Sequence, residues 1–144
     1  MSDVQDELRH AFKAVSVALR RVRGRDTHRP GELSLAQYGL LFSVAGDRPR
    51  SSREIADEAA LAPATVNQLL ETLEAQGLVE RTRSADDKRV VFTGLTARGH
   101  EVLNQRKDEL EPRWQRVVAG LSDEELRVSA VVLRRLAAYL DDLD

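Results

Sequence analysis

Residues 51–77 constrain the fold more than any other segment, because they carry the start and stop signals of two short helices. Ser51 and Glu54 have the capping-box spacing that opens a helix, and the sequence predicts this helix over Ser52 to Ala60. Only two residues, both apolar, separate its end from the next helical signal. The chain must therefore turn sharply between the two helices.

The second helix of this pair is predicted over residues 63–76. Pro63 suits the first turn of a helix, where its missing N–H is not needed, and Gly77 is a typical stop signal. Two helices joined by so short a turn form the helix-turn-helix layout. The apolar stripe of the second helix consists of Val66, Leu69, Leu70 and Leu73.

Two strand-like segments follow the second helix. The segments LVERTRS and RVVFTG are rich in β-branched residues, and the polar residues 84–88 form a hairpin connection between them. This pattern predicts a two-stranded wing beside the helix-turn-helix, with room for a short third strand. The predicted fold class is mainly α, with a winged helix-turn-helix core.

Amphipathic segments flank this core on both sides. Apolar residues recur at helical spacing over residues 6–23, and Gly39, inside another predicted helix, is expected to mark a close helix contact. Hydrophobic residues make up 42% of the chain but aromatic residues only 4%, which favours aliphatic packing between helices. A small winged helix cannot cover so many apolar faces, so we expect them to pack between subunits. Packing within one chain is the alternative.

The C-terminal part of the chain is predicted to contain two more helices. The first begins after Thr96, and Pro112 inside it removes one backbone hydrogen bond, so a kink or break is expected there. Ser122 and Glu125 form a second capping box at the start of the last helix.

The second helix of the pair presents a small, polar face opposite its apolar stripe. Gln and Asn side chains can bond adenine bidentately in the major groove, and a Thr methyl group can touch that of thymine. Glu71 would be unfavourable near phosphates unless it accepts from a cytosine amino group or pairs with an arginine. An ordinary solvated helix face is the alternative interpretation. The face comprises Ala64, Gln68 and Glu71 at its centre, flanked by Thr65, Asn67 and Thr72.

The predicted hairpin tip carries four adjacent charges, Asp86 to Arg89. An arginine at such a tip can enter a minor groove, most favourably a narrow A·T-rich one. Asp87 can hold Arg89 in place through a bidentate ion pair. Charges that are merely solvated at a loop tip are the alternative interpretation.

Two motifs resemble the MarR family of bacterial transcription regulators. The segment DKRVVFTGLTARG is similar to the wing signature of that family, which places Asp87, Arg89, Leu95, Thr96 and Gly99 at its characteristic positions. The segment APATVNQLLETLEAQGLVER is similar to the family's recognition helix and the strand after it. The resemblance implies one MarR-type domain over residues 1–144, with a winged helix-turn-helix at about 34–96 and dimerisation helices at about 6–23 and 97–142.

The resemblance also implies a function for the helix and the wing. Residues 63–76 would form a recognition helix in the major groove, and Arg89 would read the minor groove of a pseudo-palindromic double-stranded DNA operator bound by a homodimer. Basic residues around Ser51 would bind phosphates at a helix N-terminus. The predicted DNA-binding residues are Arg50, Ser51, Arg53, Ala64, Thr65, Asn67, Gln68, Thr72, Arg83, Asp87, Lys88 and Arg89.

In two respects the recognition helix departs from the family. The family often has an arginine where Gln68 stands and a basic residue where Thr72 stands, so this chain is expected to make fewer phosphate contacts or to prefer different bases. The competing function is a winged helix that binds another protein rather than DNA. A net charge of −2 does not by itself indicate a nucleic-acid partner, although local basic clusters can act where net charge does not.

Members of the resembled family bind a small, often phenolic, effector that weakens DNA binding. The resemblance therefore implies a repressor released by a small phenolic or aromatic molecule. Aromatic residues at helical positions can equally belong to an ordinary core. The side chains that could form an effector pocket are Phe12, Tyr38, Phe42 and Trp114.

Other classes of function lack their sequence signals. The chain contains no nucleophile elbow, phosphate loop or dinucleotide fingerprint, and it has no cysteine, so no enzyme, cofactor or thiol switch is expected. His100 and Glu101 begin like a zinc-protease motif, but Asn104 stands where the second histidine is required, so no metal site is predicted. No segment approaches the ~20 apolar residues of a membrane span. A cytoplasmic protein is expected.

Overall fold

The computed structural model of the protein describes residues 2–25 and 32–143, which form helices and one small antiparallel sheet. The composition of the segment GRDTHRPGE, residues 24–32, predicts a loop after the first helix. Most of this segment, residues 26–31, lies outside the described residues. The chain divides into two compact units, one ending at Leu103 and the other beginning at Asn104. The elements are α1 (Asp3–Gly24), α2 (Leu35–Val44), β1 (Arg50–Ser51), α3 (Ser52–Ala59), α4 (Pro63–Ala75), β2 (Val79–Arg83), β3 (Val91–Leu95), α5 (Ala97–Val118) and α6 (Asp123–Asp141).

The predicted helix-turn-helix is confirmed as α3 and α4, with a turn of three residues between them. Ala60 ends α3 in the left-handed conformation at φ 53°, a role more often taken by glycine. The N–H of Leu61 then donates to the carbonyl of Ala56 at 3.2 Å, which closes the turn. Gly77, at φ +74°, ends the segment after α4 as the sequence predicts.

The core of the first unit is aliphatic. Three residues of the apolar stripe of α4 are fully buried, and Leu69 is half-buried at its edge. Because α2, α3 and α4 all contribute to this cluster, the orientation of α4 is set by packing rather than by its own propensity. The buried hydrophobic residues are Leu40, Leu41, Val44, Ile55, Ala56, Val66, Leu70, Leu73, Leu78, Val79 and Leu103.

The predicted wing is confirmed, together with its short third strand. The sheet has the order β1-β3-β2, and both pairings are antiparallel. Thr93 lies at the centre, opposite Arg50 on one side and Arg81 on the other. The central strand therefore joins the start of α3 to the wing.

The start of α5 is attached to the chain segment that leaves α4. Thr96 donates its backbone N–H to the carbonyl of Leu78 at 3.1 Å and its hydroxyl to the carbonyl of Gly77 at 2.6 Å. The same hydroxyl accepts the N–H of Gly99 at 3.0 Å. A Cβ at Gly99 would overlap the carbonyl oxygen of Leu78. The Thr96 and Gly99 positions of the wing signature thus bring the start of α5 against the backbone of Leu78. Only glycine at position 99 permits this close approach.

Two sequence expectations about helices differ from the structure. A break at Pro112, one of the two expected outcomes, is wrong, since α5 runs unbroken from Ala97 to Val118, while a kink there stays a prediction. Proline removes a single N–H, and a helix of 22 residues keeps its backbone bonds on either side. The expected close contact at Gly39 is also wrong, because a Cβ there would meet no atom within 4 Å.

The terminal helices α1 and α6 lie wholly within the described residues. In a single chain neither helix has a buried residue. Within residues 2–25 and 32–143, no helix is long and apolar enough to cross a membrane. The exposed apolar residues of α1 are Val4, Leu8, Val15, Leu19 and Val22, and those from α5 onward are Trp114, Val117, Leu121, Val128, Val131, Leu133, Tyr139, Leu140 and Leu143.

Candidate nucleic-acid interface

The polar face predicted on α4 is exposed along its whole length. Its six residues, from Ala64 to Thr72, are all exposed, while Val66, Leu70 and Leu73 are buried on the other side. Within the described residues, the side-chain amides of Asn67 and Gln68 make no hydrogen bond. Both amides are therefore available to an external partner.

Thr72 differs from its neighbours on this face. Its hydroxyl donates to the backbone carbonyl of Gln68 at 3.2 Å, within the same helix. A hydroxyl that bonds to the preceding turn is less available to a base. The methyl group of Thr72 is then the part best suited to contact a thymine methyl.

The ion pair predicted at the wing tip is present. Asp87 Oδ1 accepts from the backbone N–H of Arg89 at 3.0 Å and from its Nε at 3.1 Å, while Oδ2 accepts from Nη2 at 3.2 Å. These bonds from Arg89 hold the pKa of the Asp87 carboxyl below its usual value. The side chain of Arg89 is 91% exposed. The wing thus presents an oriented guanidinium to its surroundings.

Ser84 and Arg83 order the loop that carries this pair. The Ser84 hydroxyl accepts the N–H groups of Asp86 at 3.2 Å and Asp87 at 3.3 Å. Arg83 Nη1 donates to the carbonyl of Lys88 at 2.9 Å. Arg83, predicted to bind phosphate, thus also supports the loop from within. Sequence reasoning missed Ser84, although a serine at the start of a turn commonly bonds to the backbone two or three residues on.

The basic cluster at the start of α3 is largely paired inside the protein. Arg50 forms a short ion pair with Glu58, and Arg48 Nη2 lies 2.8 Å from Glu54 Oε2. The bond from Arg48 lowers the pKa of Glu54 to about 2. These carboxylates compete with any phosphate for the two arginines. Exposed Arg53 forms no ion pair within the described residues, so it is the arginine of this cluster that is most available to bind a phosphate.

Ser51 closes the predicted capping box at the start of α3. Its hydroxyl accepts the N–H of Glu54 at 3.1 Å, and Glu54 Oε1 accepts the N–H of Ser51 at 3.4 Å. The side chain is therefore engaged in the cap. Because the cap uses this hydroxyl only as an acceptor, its O–H can still donate to a phosphate at the helix start, and the predicted contact of Ser51 stays a prediction.

Arg81 connects the wing to α4, which the sequence reasoning did not anticipate. Its backbone N–H donates to Glu74 Oε2 and its Nη2 to Glu74 Oε1, each at 3.2 Å. The backbone and the side chain of Arg81 thus both bind the Glu74 carboxylate, which fixes β2 to the C-terminal turn of α4. The signal was an acid late in the helix and a base early in the strand, but the sequence does not specify their pairing.

The four predicted effector-pocket residues are divided between the two units. Phe12, Tyr38 and Phe42 belong to the first unit, where Phe12 and Tyr38 are half-buried, and Trp114 belongs to the second and is exposed. The effector pocket stays a prediction. A cavity of about 150 Å³ in the first unit is lined by other residues, Val44, Gly46, Asp47, Arg48, Pro49, Gly94, Leu95 and His100.

The architecture defines a class: two short helices joined by a tight turn, followed by a wing with an exposed arginine, form a winged helix-turn-helix. A model of the MarR family matches residues 32–90. HosA, a transcriptional regulator of Escherichia coli, is 34% identical over 94 residues, which are 65% of this chain and 69% of HosA. The chain belongs to the MarR family of transcription regulators.

Solved structures agree with this assignment over nearly the full chain. FabT of Streptococcus pneumoniae, determined in complex with DNA, is 26% identical with a TM-score of 0.70, and the match covers 98% of this chain and 97% of FabT. BpsR of Bordetella bronchiseptica has the same fold, with 24% identity and a TM-score of 0.65 over 94% of this chain and 99% of BpsR. Alignments with two curated Bacillus subtilis relatives cover 63% and 49% of those proteins.

Proposed function

We propose that the protein is a sequence-specific regulator of transcription that binds double-stranded DNA, with α4 in the major groove and Arg89 in the minor groove. The observation that carries this proposal is the exposed guanidinium of Arg89, held by Asp87 on an ordered wing. A charge that was merely solvated would gain nothing from such a fixed geometry. The match to FabT, which was solved with DNA, supports the same function.

The exposed face of α4 supports base reading. Asn67 and Gln68 present free amides, which suit the edge of adenine, and the methyl of Thr72 suits that of thymine. Arg53 and Lys88 are exposed cations that can contact phosphates and set the register of the protein on the duplex. The amides of α4 would then read bases, and these cations would position the protein on the duplex.

Selection of binding sites by the purified protein from random double-stranded DNA tests the proposal. We expect a pseudo-palindromic motif to be enriched, since a two-fold dimer presents two recognition helices to related half-sites. Affinity for the selected site should fall steeply with salt, because each neutralised phosphate releases counterions. A protein-interaction module would enrich no motif, and this outcome would exclude sequence-specific DNA binding.

We further propose a homodimer formed through the terminal helices. The apolar residues of α1 and α6 stay exposed in a single chain, and exposed apolar surface of this extent is typical of subunit interfaces. A two-fold axis would relate the recognition helix of one subunit to that of the other. This proposal accounts for apolar faces that the winged helix leaves uncovered.

Light scattering of the purified protein should give twice the 16.1 kDa mass of one chain. Val15→Glu places a charge on the exposed apolar face of α1 and is expected to reduce the mass toward that of one chain. Lys13→Glu adds a carboxylate to the same helix on the opposite side and serves as the control. A wild-type mass of one chain at micromolar concentration would contradict the dimer.

We propose that the protein is a repressor and that a small phenolic or aromatic effector releases it from DNA. We also propose that it acts in the cytoplasm. The DNA binding of BpsR is regulated by 6-hydroxynicotinic acid, an aromatic acid. Phe12, Tyr38 and Phe42, with Trp114, remain the proposed contacts for such a molecule. Their partial exposure is compatible with this role.

A further inference from the structure

We propose that Glu71 determines base preference by accepting a hydrogen bond from a cytosine amino group in the major groove. The inference rests on the proposed DNA-binding function and adds a specificity-determining residue to it. It depends on three observations: the position of Glu71 on α4, the absence of a cation at helical-pair spacing from it on this helix, and the two alanines that share its face.

Glu71 lies at the centre of the exposed face of α4. It follows Asn67 by four residues and Gln68 by three, so all three side chains lie on one side of the helix within about one turn. Val66, Leu70 and Leu73 are buried on the opposite side. A helix that presents the two amides to base edges therefore presents the Glu71 carboxylate to them as well.

Glu71 makes no ion pair within the described residues, whereas four other acids of the winged helix do. Glu54 is paired with Arg48, Glu58 with Arg50, Glu74 with Arg81, and Asp87 with Arg89.

The residues at helical-pair spacing from Glu71 offer no cation. The residues three and four positions before and after Glu71 are Asn67, Gln68, Glu74 and Ala75. An arginine partner, which would make Glu71 a structural residue, is therefore not provided by its own helix. The carboxylate remains a free acceptor on the surface that faces DNA.

A carboxylate can accept hydrogen bonds but cannot donate them, so it discriminates between base edges. Guanine presents two acceptors in the major groove and thymine a carbonyl oxygen, and both would repel it. Cytosine presents an amino donor, whereas adenine places an acceptor beside its donor. Cytosine is thus the base that a free glutamate prefers.

Exposed Ala75 follows Glu71 by one turn on the same face, and exposed Ala64 lies about two turns before it. Because these side chains are small, the helix backbone can approach the base edges closely at this point. The carboxylate of Glu71 would then come within reach of an amino group on a base edge.

The test compares the motifs that wild type, Glu71→Gln and Glu80→Gln select from one random double-stranded library. Wild type should select cytosine at one fixed position of each half-site. Glu71→Gln should lose that preference by about tenfold and shift toward adenine, since glutamine both donates and accepts. All other positions of the motif should be unchanged.

Glu80→Gln is the matched control, because it removes one negative charge from an exposed residue of β2 that forms no ion pair within the described residues. It should leave the wild-type motif intact. If Glu71→Gln selects the wild-type motif and binds all sequences more tightly, Glu71 only repels phosphates and the inference is overturned. If wild type selects no motif, the proposed function itself fails, which is a separate outcome.

Discussion

Gly99→Ala should lower the free energy of unfolding by about 3 kcal/mol, the upper range for overpacking a closely packed site. The new methyl group would overlap the carbonyl oxygen of Leu78. That oxygen cannot move away freely, because it accepts the N–H of Thr96, and the hydroxyl of Thr96 in turn donates to the carbonyl of Gly77. Accommodating the methyl therefore requires the start of α5 to separate from the chain that leaves α4.

Urea denaturation followed by circular dichroism measures this effect, and Gly39→Ala provides the control. Both glycines lie within helices, but a methyl at position 39 meets no atom within 4 Å. Gly39→Ala should therefore stabilise the protein by up to about 1 kcal/mol through helix propensity. Equal denaturation midpoints for Gly99→Ala and wild type would contradict the role assigned to Gly99.

The contrast between these two glycines shows how far the sequence could predict the fold. Capping boxes and turn signals act within a few residues, so the helices and the wing could be located from local pattern alone. The contact between Gly99 and Leu78 joins residues 21 positions apart, and local composition does not specify it. The opposite expectation, a close contact at Gly39, was wrong for the same reason.

The candidate site divides in the same way. The pair between Asp87 and Arg89 could be predicted because only Lys88 separates them along a tight loop. The partners of Arg48, Arg50 and Arg81 could not, because the fold decides which nearby carboxylate each arginine meets. A basic cluster in sequence therefore overstates the positive charge that remains available to phosphates.

Arg89→Ala should weaken binding to the selected DNA site by about 1–3 kcal/mol and relax preference at the positions beside the wing. The substitution removes a guanidinium that is 91% exposed, so melting temperature and oligomeric mass should be unchanged. Fluorescence anisotropy with labelled duplexes measures the affinity. Unaltered affinity would mean that the wing does not contact DNA.

Two neighbouring substitutions separate the ways in which the wing could act. Lys88→Ala removes an exposed cation beside Arg89. If Lys88 contacts a phosphate, its loss should weaken binding to all sequences alike and reduce the slope of log affinity against log salt concentration by about 1. Asp87→Ala keeps the guanidinium but removes the carboxylate that orients it. If orientation matters, Asp87→Ala should lose the same sequence preference as Arg89→Ala while retaining more of the salt-dependent affinity. An Asp87→Ala protein with wild-type preference would show that charge alone, without the ion pair, accounts for the contribution of the wing.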